Sequence, residues 1–173
     1  GAELACSSGR VPARFLPPCR PGGLPGEPDP GTPGPLVLRV LPGAQADWFP
    51  AADAMPTFRV TPASNRMGVR LDGPALRVPE RELLSEPVCP GTVQVTRDGR
   101  CIILGVDGQT IGGYPKVAQV ISADLDRVGQ LRPGDRVAFR RVSLEEAERL
   151  YRRRQARLGE WLVRLREAEW FGR

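Results

Sequence analysis

Two segments of this 173-residue chain place side chains capable of chemistry at close spacing. In the first, Asp107, Gln109, Thr110, Gly112, Gly113, Tyr114 and Lys116 fall within ten consecutive positions; in the second, Asn65 and Arg66 open the run Asn65-Arg66-Met67-Gly68. Gln109 and Asn65 carry carboxamides and Thr110 a hydroxyl, groups that both donate and accept hydrogen bonds. Gly112-Gly113 lets a ligand approach the backbone, and two successive N–H groups can hold a developing oxyanion. Tyr114 offers a phenol, and Lys116, the only lysine, can stabilise negative charge or act as a base if desolvated. Asp107 is the nearest carboxylate for proton transfer, and the forked donors of Arg66 suit a carboxylate ligand. The same residues also fit plain structure. Gly-Gly-Tyr-Pro is a turn entering a strand, Asp107-Gly108 is a hairpin signal and Asn65 a turn former. Arg66 and Arg70 alternate along an exposed strand, and Lys116 alone reads as a surface cation.

Composition narrows the chemistry. There is no histidine, which removes imidazole acid/base catalysis and every His-containing metal site. Cys6, Cys19, Cys89 and Cys101 contain no Cys-x-x-Cys pair and read as buried or idle thiols, with no metal site expected. The net charge of +5 is carried by Arg apart from Lys116. The densest basic stretch, Arg149 to Arg157, lies beside Glu145, Glu146 and Glu148 and reads as a solvated helix face rather than a nucleic-acid surface. No apolar run is long enough to span a bilayer, and the N-terminus lacks a signal-peptide pattern, so a cytoplasmic setting is expected. The glycine-rich loop has no Gly-Lys-Ser/Thr ending and is no P-loop.

The elements that must position these groups are mostly short strands. Residues 1–16 suggest a frayed strand, and 13 of the 19 residues from 17 to 35 are Pro or Gly, which predicts a linker. Strands are expected at 36–41, 58–61, 69–71, 92–95, 101–104, 117–121 and 136–142, with a hairpin turn at Arg97-Asp98-Gly99. Residues 45–54 read as a helical turn or two with Asp47 as a possible cap, and 123–130 as a short helix capped by Ser122. Strands this short and closely spaced predict a mainly β sandwich or closed barrel. Ser143-Leu144-Glu145-Glu146 is a capping box opening a long helix, whose apolar stripe (Leu144, Ala147, Tyr151, Leu158, Trp161) is expected to dock on the barrel.

Beyond turn chemistry, Ser64 to Pro74 and Gly105 to Pro115, together with Ser85-Glu86-Pro87, Gly91 to Val95 and Val120 to Leu125, form a recognisable set. From about Val37 to Val142 the chain resembles the biotin-dependent carboxyltransferase-like family. That family includes the C-type component of 5-oxoprolinase, the second component of allophanate hydrolase and the carboxyltransferase domain of urea carboxylase. The chain departs from the pattern with Val69 for an aromatic, Asp72 for Glu, Gly108 for Ala and Ile111 for Thr, the last removing a hydroxyl from the expected site.

The resemblance implies a cyclophilin-like β-barrel subdomain over 36–142 and makes residues 1–16 a remnant of the segment joining two subdomains. The domain plan is then a remnant segment and Pro/Gly-rich linker over 1–35, the subdomain over 36–142, and an Arg-rich amphipathic helix over 143–173 that lies outside the resemblance. It implies a C-terminal part that works with an N-terminal subdomain and sister 5-oxoprolinase subunits on a small-molecule amide, the lactam of 5-oxoproline, opened at the expense of ATP. ATP would then occupy a site shared with the missing half or with a partner subunit. On that reading Asp107, Lys116 and Tyr114 are catalytic, while Asn65, Arg66, Gln109, Thr110, Gly112 and Gly113 bind the substrate. Two alternatives are carboxyl transfer to urea from carboxybiotin, with the biotin carrier supplied in trans, and a non-catalytic module that antagonises a kinase inhibitor. No partner role for nucleic acid or membrane is expected.

Overall fold

A computed structural model describes residues 34–49 and 55–170. The expectations for residues 1–33 and 50–54 lie outside the described residues. Among the described residues nine strands form: β1 (Leu36–Pro42), β2 (Phe58–Val60), β3 (Gly68–Asp72), β4 (Glu86–Pro87), β5 (Thr92–Val95), β6 (Cys101–Leu104), β7 (Ile111–Gly112), β8 (Lys116–Val120) and β9 (Arg136–Arg141). Seven of them close a barrel in the order β1-β8-β5-β6-β3-β2-β9, and β4 pairs with β7 in a separate two-stranded sheet. The barrel closes through β1 and β9, which run parallel with Leu38 opposite Phe139. Of the two expected architectures the structure is therefore the mainly β closed barrel.

Alternate residues of β1, β2, β3, β5 and β6 point inward. Leu38 and Val40, Phe58 and Val60, Val69 and Leu71, Val93 and Val95, and Cys101 and Ile103 are all buried in one core with Val117, Val120 and Val137. The two-residue period puts these β-branched and large aliphatic side chains on one face, where burial contributes roughly 1.5–3 kcal/mol each. β5 departs from simple alternation because Thr92 and Gln94, on its outer face, are buried as well. A second layer covers them, and that layer carries much of the candidate site.

The Arg97-Asp98-Gly99 hairpin forms as expected: Gly99 takes φ +79° and its N–H donates to Thr96 O at 2.8 Å. Asp107-Gly108 makes a β-turn, with Gly108 N–H on Gly105 O at 3.1 Å, but closes no hairpin, because β7 pairs with β4 instead of β6. The expected helix at 45–54 is a single 3-10 turn over Ala46–Trp48 within the described residues, and Gln45, not Asp47, sits at its N-cap. The helix near 123–130 is a 3-10 turn (Ser122–Asp124) running into α1 (Leu125–Val128); Ile121 holds the cap position and Ser122 does not cap it. Asp124, fully buried, instead accepts from the Arg39 backbone N–H at 2.8 Å and pairs with the Arg39 guanidinium.

α2 (Leu144–Trp170) begins as the capping box predicts, with Ser143 Oγ accepting from Glu146 N–H at 3.1 Å. Ala147 and Leu150 then pack against Ile121, Ala123 and Val142. That contact lies within one compact unit, Gly31–Arg152; the helix from Arg153 onward belongs to another. Within the first unit the expected docking is made by Ala147 and Leu150, while Leu144 and Tyr151 of the expected stripe are exposed. No helix among the described residues is long and apolar enough to cross a membrane.

Candidate functional site

The two-stranded sheet lies against the outer face of the barrel through polar groups. Glu86 on β4 stands opposite Gly112 on β7, and its carboxylate takes the Lys116 ammonium from β8. Gln45 completes the cluster: its Nε2 donates to Glu86 Oε2 at 3.2 Å, and its Oε1 accepts the Lys116 backbone N–H at 3.0 Å. Lys116 and Gln45 are 8% and 7% exposed, so these groups satisfy one another rather than water. The hydrogen bond from Lys116, and then the one from Gln45, hold the Glu86 carboxyl below its usual value of 4.5. Gln94, 1% exposed, donates to Tyr114 O at 3.5 Å from beneath the same layer.

Beside this layer opens a groove of about 990 Å³. It is lined by the irregular strap 78–84, by Val95 and Arg97 from the β5–β6 hairpin, and by Gln109, Gly113, Tyr114 and Pro115. Val95 N–H donates to Pro115 O at 2.9 Å, which joins the hairpin to the Tyr114 segment. Gly113 adjoins the strap: a Cβ there would sit 3.4 Å from Ser85 Oγ. Gly112 admits no side chain, since its Cβ would lie 2.7 Å from Gln94 Nε2 and 3.0 Å from Gln109 Nε2. Gly112 thus lets two carboxamides converge behind the groove, whose lining combines apolar residues and four charged side chains with one carboxamide, one phenol and backbone groups, a mixture suited to a small polar ligand.

Three of the nine residues singled out from sequence line this groove: Gln109, Gly113 and Tyr114. Gly112 is buried behind them in β7. Lys116 is beside the site, but its ammonium is taken by Glu86. Thr110 has an exposed side chain, and its carbonyl accepts from Val88 N–H at 2.9 Å. The other three stand apart from the lining. Asn65 spends its side chain on its own turn, Oδ1 accepting from Met67 N–H at 2.9 Å. Arg66, 90% exposed, pairs with Asp107 at 3.2 Å, so the expected clamp and the expected base meet each other. Ile111, where the hydroxyl is missing, is exposed and does not line the groove.

Sequence reasoning passed over Gln45, Glu86, Gln94 and Arg97. Gln94 carried the clearest signal, a carboxamide between two valines in an otherwise apolar strand. Glu86 was visible only inside the Ser85-Glu86-Pro87 motif. Among the described residues no group of His, Cys, Asp and Glu is arranged to hold a metal ion. Cys101 is buried and Cys89 exposed, both as free thiols, and burial pushes the Cys101 thiol up to about 12.

A closed barrel with a polar covering sheet and a groove beside it sets the architecture, and comparison with known proteins specifies the class. The carboxyltransferase domain, subdomain A and B, matches residues 11–141, and the chain belongs to that family. It is 43% identical over 115 residues to the C-type component of 5-oxoprolinase from Escherichia coli, covering 64% of this chain and 37% of that protein. It is 40% identical over 124 residues to the corresponding 5-oxoprolinase component of Haemophilus influenzae, covering 69% and 40%. The chain therefore spans about two fifths of the length of these relatives. Among solved structures, the K. lactis urea amidolyase superimposes with a TM-score of 0.66 at 26% identity, over 72% of this chain and 8% of that one.

Proposed function

We propose that this chain contributes one amide-binding subsite to an ATP-dependent 5-oxoprolinase, working with the remaining carboxyltransferase subdomain and sister subunits in the cytoplasm. The observation that carries the reading is the groove lined by Gln109, Gly113 and Tyr114, backed by Gly112. A lactam presents one acceptor and one donor at fixed spacing; a carboxamide, a phenol and the glycine backbone complement both and can follow charge developing on the amide oxygen. The greater identity to the two 5-oxoprolinase components than to urea amidolyase supports this substrate. Asp107 and Lys116 act through their partners in this reading: Asp107 orders the Arg66 loop, and Lys116 holds the covering sheet through Glu86.

The described residues do not fit a nucleotide triphosphate by themselves. No glycine-rich loop runs into a long helix, and Glu80, Arg81, Glu82 and Arg97 give the groove balanced charge. ATP would then occupy a site shared with the remaining subdomain or with partner subunits. The second reading, carboxyl transfer to urea, is favoured by the structural likeness to urea amidolyase. Lys116, the only lysine, is nearly buried and does not fit a biotin attachment point, so that reading needs a carrier in trans.

The test is ATP hydrolysis by the chain assembled with the rest of a carboxyltransferase unit and its sister subunits. Stimulation by 5-oxoproline that depends on this chain is expected. Stimulation only by urea with a biotinylated carrier would replace this reading with the second. Gln109→Ala is expected to lower kcat/KM about 10-fold or more, the cost of losing a hydrogen bond to the reacting group.

A further inference from the structure

Arg97 stands on the hairpin turn between β5 and β6 and lines the groove that also holds Gln109, Gly113 and Tyr114. Every other charge on that turn is engaged. Asp98 accepts from Thr96 Oγ1 and lies 3.8 Å from Arg100, and Arg100 pairs with Asp72. Among the described residues, Arg97 makes no hydrogen bond or ion pair through its side chain. The other guanidinium on the groove, Arg81, is stacked 5.3 Å from the Trp48 ring centroid. The turn is also held rigidly. Thr96 N–H donates to Arg100 O at 2.9 Å, Leu76 N–H donates to Gly99 O at 2.9 Å, and a Cβ on Gly99 would meet Leu76 O at 2.4 Å. Val95 N–H on Pro115 O ties the base of the turn to the Tyr114 segment.

We infer that Arg97 is the anion-recognising residue of this groove, and that its ligand is a small amide bearing a carboxylate. The amide faces Gln109, Gly113 and Tyr114, and the carboxylate meets the Arg97 fork. This rests on the proposed function and deepens it by moving carboxylate recognition away from Arg66, which is outside the lining and already paired with Asp107. Guanidinium is the side chain whose planar donors match a carboxylate in two bonds, and a rigid turn limits the entropy lost on binding. Glu80 and Glu82 also line the groove, on the strap. Their charge disfavours an anion near the strap, so the carboxylate is expected at the hairpin side of the groove, where Arg97 stands.

The test titrates the full ¹⁵N-labelled chain with 5-oxoproline and, separately, with 2-pyrrolidinone, the same lactam without the carboxylate. The expected result is amide-shift changes at Arg97, Gln109, Gly113 and Tyr114, with 5-oxoproline binding about 10-fold or more tightly than 2-pyrrolidinone. Arg97→Gln should erase that preference while keeping the barrel spectrum. Shifts centred on Arg66 and Asp107, a preference that survives Arg97→Gln but disappears in Arg66→Gln, or no shifts at the groove would each overturn it. The two readings also separate in the assembled enzyme. A complex that hydrolyses ATP with 5-oxoproline but keeps its KM in Arg97→Gln upholds the function and refutes the role of Arg97. Groove binding without stimulated hydrolysis does the reverse.

Discussion

Gly112 brings the covering sheet close against Gln94 of the barrel, with two carboxamide nitrogens within 3.0 Å of where a Cβ would stand. Overpacking at such a point costs about 1–3 kcal/mol, because Gln94 is fully buried and cannot swing into solvent. Gly112→Ala is therefore expected to destabilise the fold by that amount in urea titrations and to shift the Gln109 side-chain amide resonances. Gly113→Ala meets only ordinary contacts at 3.4 Å and should be much milder. The thiols give a second check. Cys101, buried with its pKa raised to about 12, should resist alkylation at pH 8.5 while exposed Cys89 reacts, as peptide mass mapping would read. Both residues were legible as idle thiols, but which one is shielded was not, since that depends on which strand face turns inward.

At the scale of elements, two polar contacts join layers that the apolar core does not reach. Arg39 on β1 and Asp124 before α1 form a buried pair, with Asp124 fully inaccessible. Removing one partner leaves an uncompensated buried charge, so Asp124→Ala is expected to cost about 3–5 kcal/mol, measurable by denaturant unfolding. The contact of Lys116 with Glu86 is different, because Glu86 is partly open to water. Glu86→Leu strands a nearly buried ammonium and should lower the melting temperature more than Lys116→Met does. The double variant Glu86→Leu/Lys116→Met should recover most of the loss. If the double variant also retains groove binding, Lys116 serves as a fastener for the small sheet; if binding disappears with stability restored, its charge is needed at the site. Strands of two residues such as β4 and β7 are beyond what alternation can reveal, which is why this sheet went unseen in the sequence.

At the scale of the molecule, closure depends on strands far apart in the chain: β1 and β9 are parallel neighbours about a hundred residues apart. A topology this non-local predicts folding in milliseconds to seconds, which stopped-flow fluorescence of Trp48 would follow. Hydrogen exchange should rank the barrel accordingly, with β5 and β8 amides protected to the global limit and β4 and β7 opening sooner. The pH dependence has a defined sign. The Glu86 carboxyl is lowered in the folded state, so its contribution is complete above the unfolded value of 4.5 and is lost as pH falls through the folded one. The stability difference between the native chain and Glu86→Gln should thus stay constant at neutral pH and shrink only below about pH 4.5.

Most of the barrel was readable from residues alone, because a two-residue apolar period bounded by Gly, Pro and Asp turns is a local property of the chain. The apolar runs at 36–41, 92–95 and 101–104 declared strands, though not which face turns inward, and Ser143 declared the start of α2. What the sequence left open was decided by distance in space. Asp107 next to Gly108 reads as a hairpin until β7 is seen to find β4, some 25 residues earlier. Arg66 reads as a free clamp until the fold sets Asp107 beside it, and Arg97 reads as an ordinary turn residue until closure places it on the groove. Charge pairing and groove lining are set by which strands become neighbours, a consequence of barrel closure that no local pattern encodes.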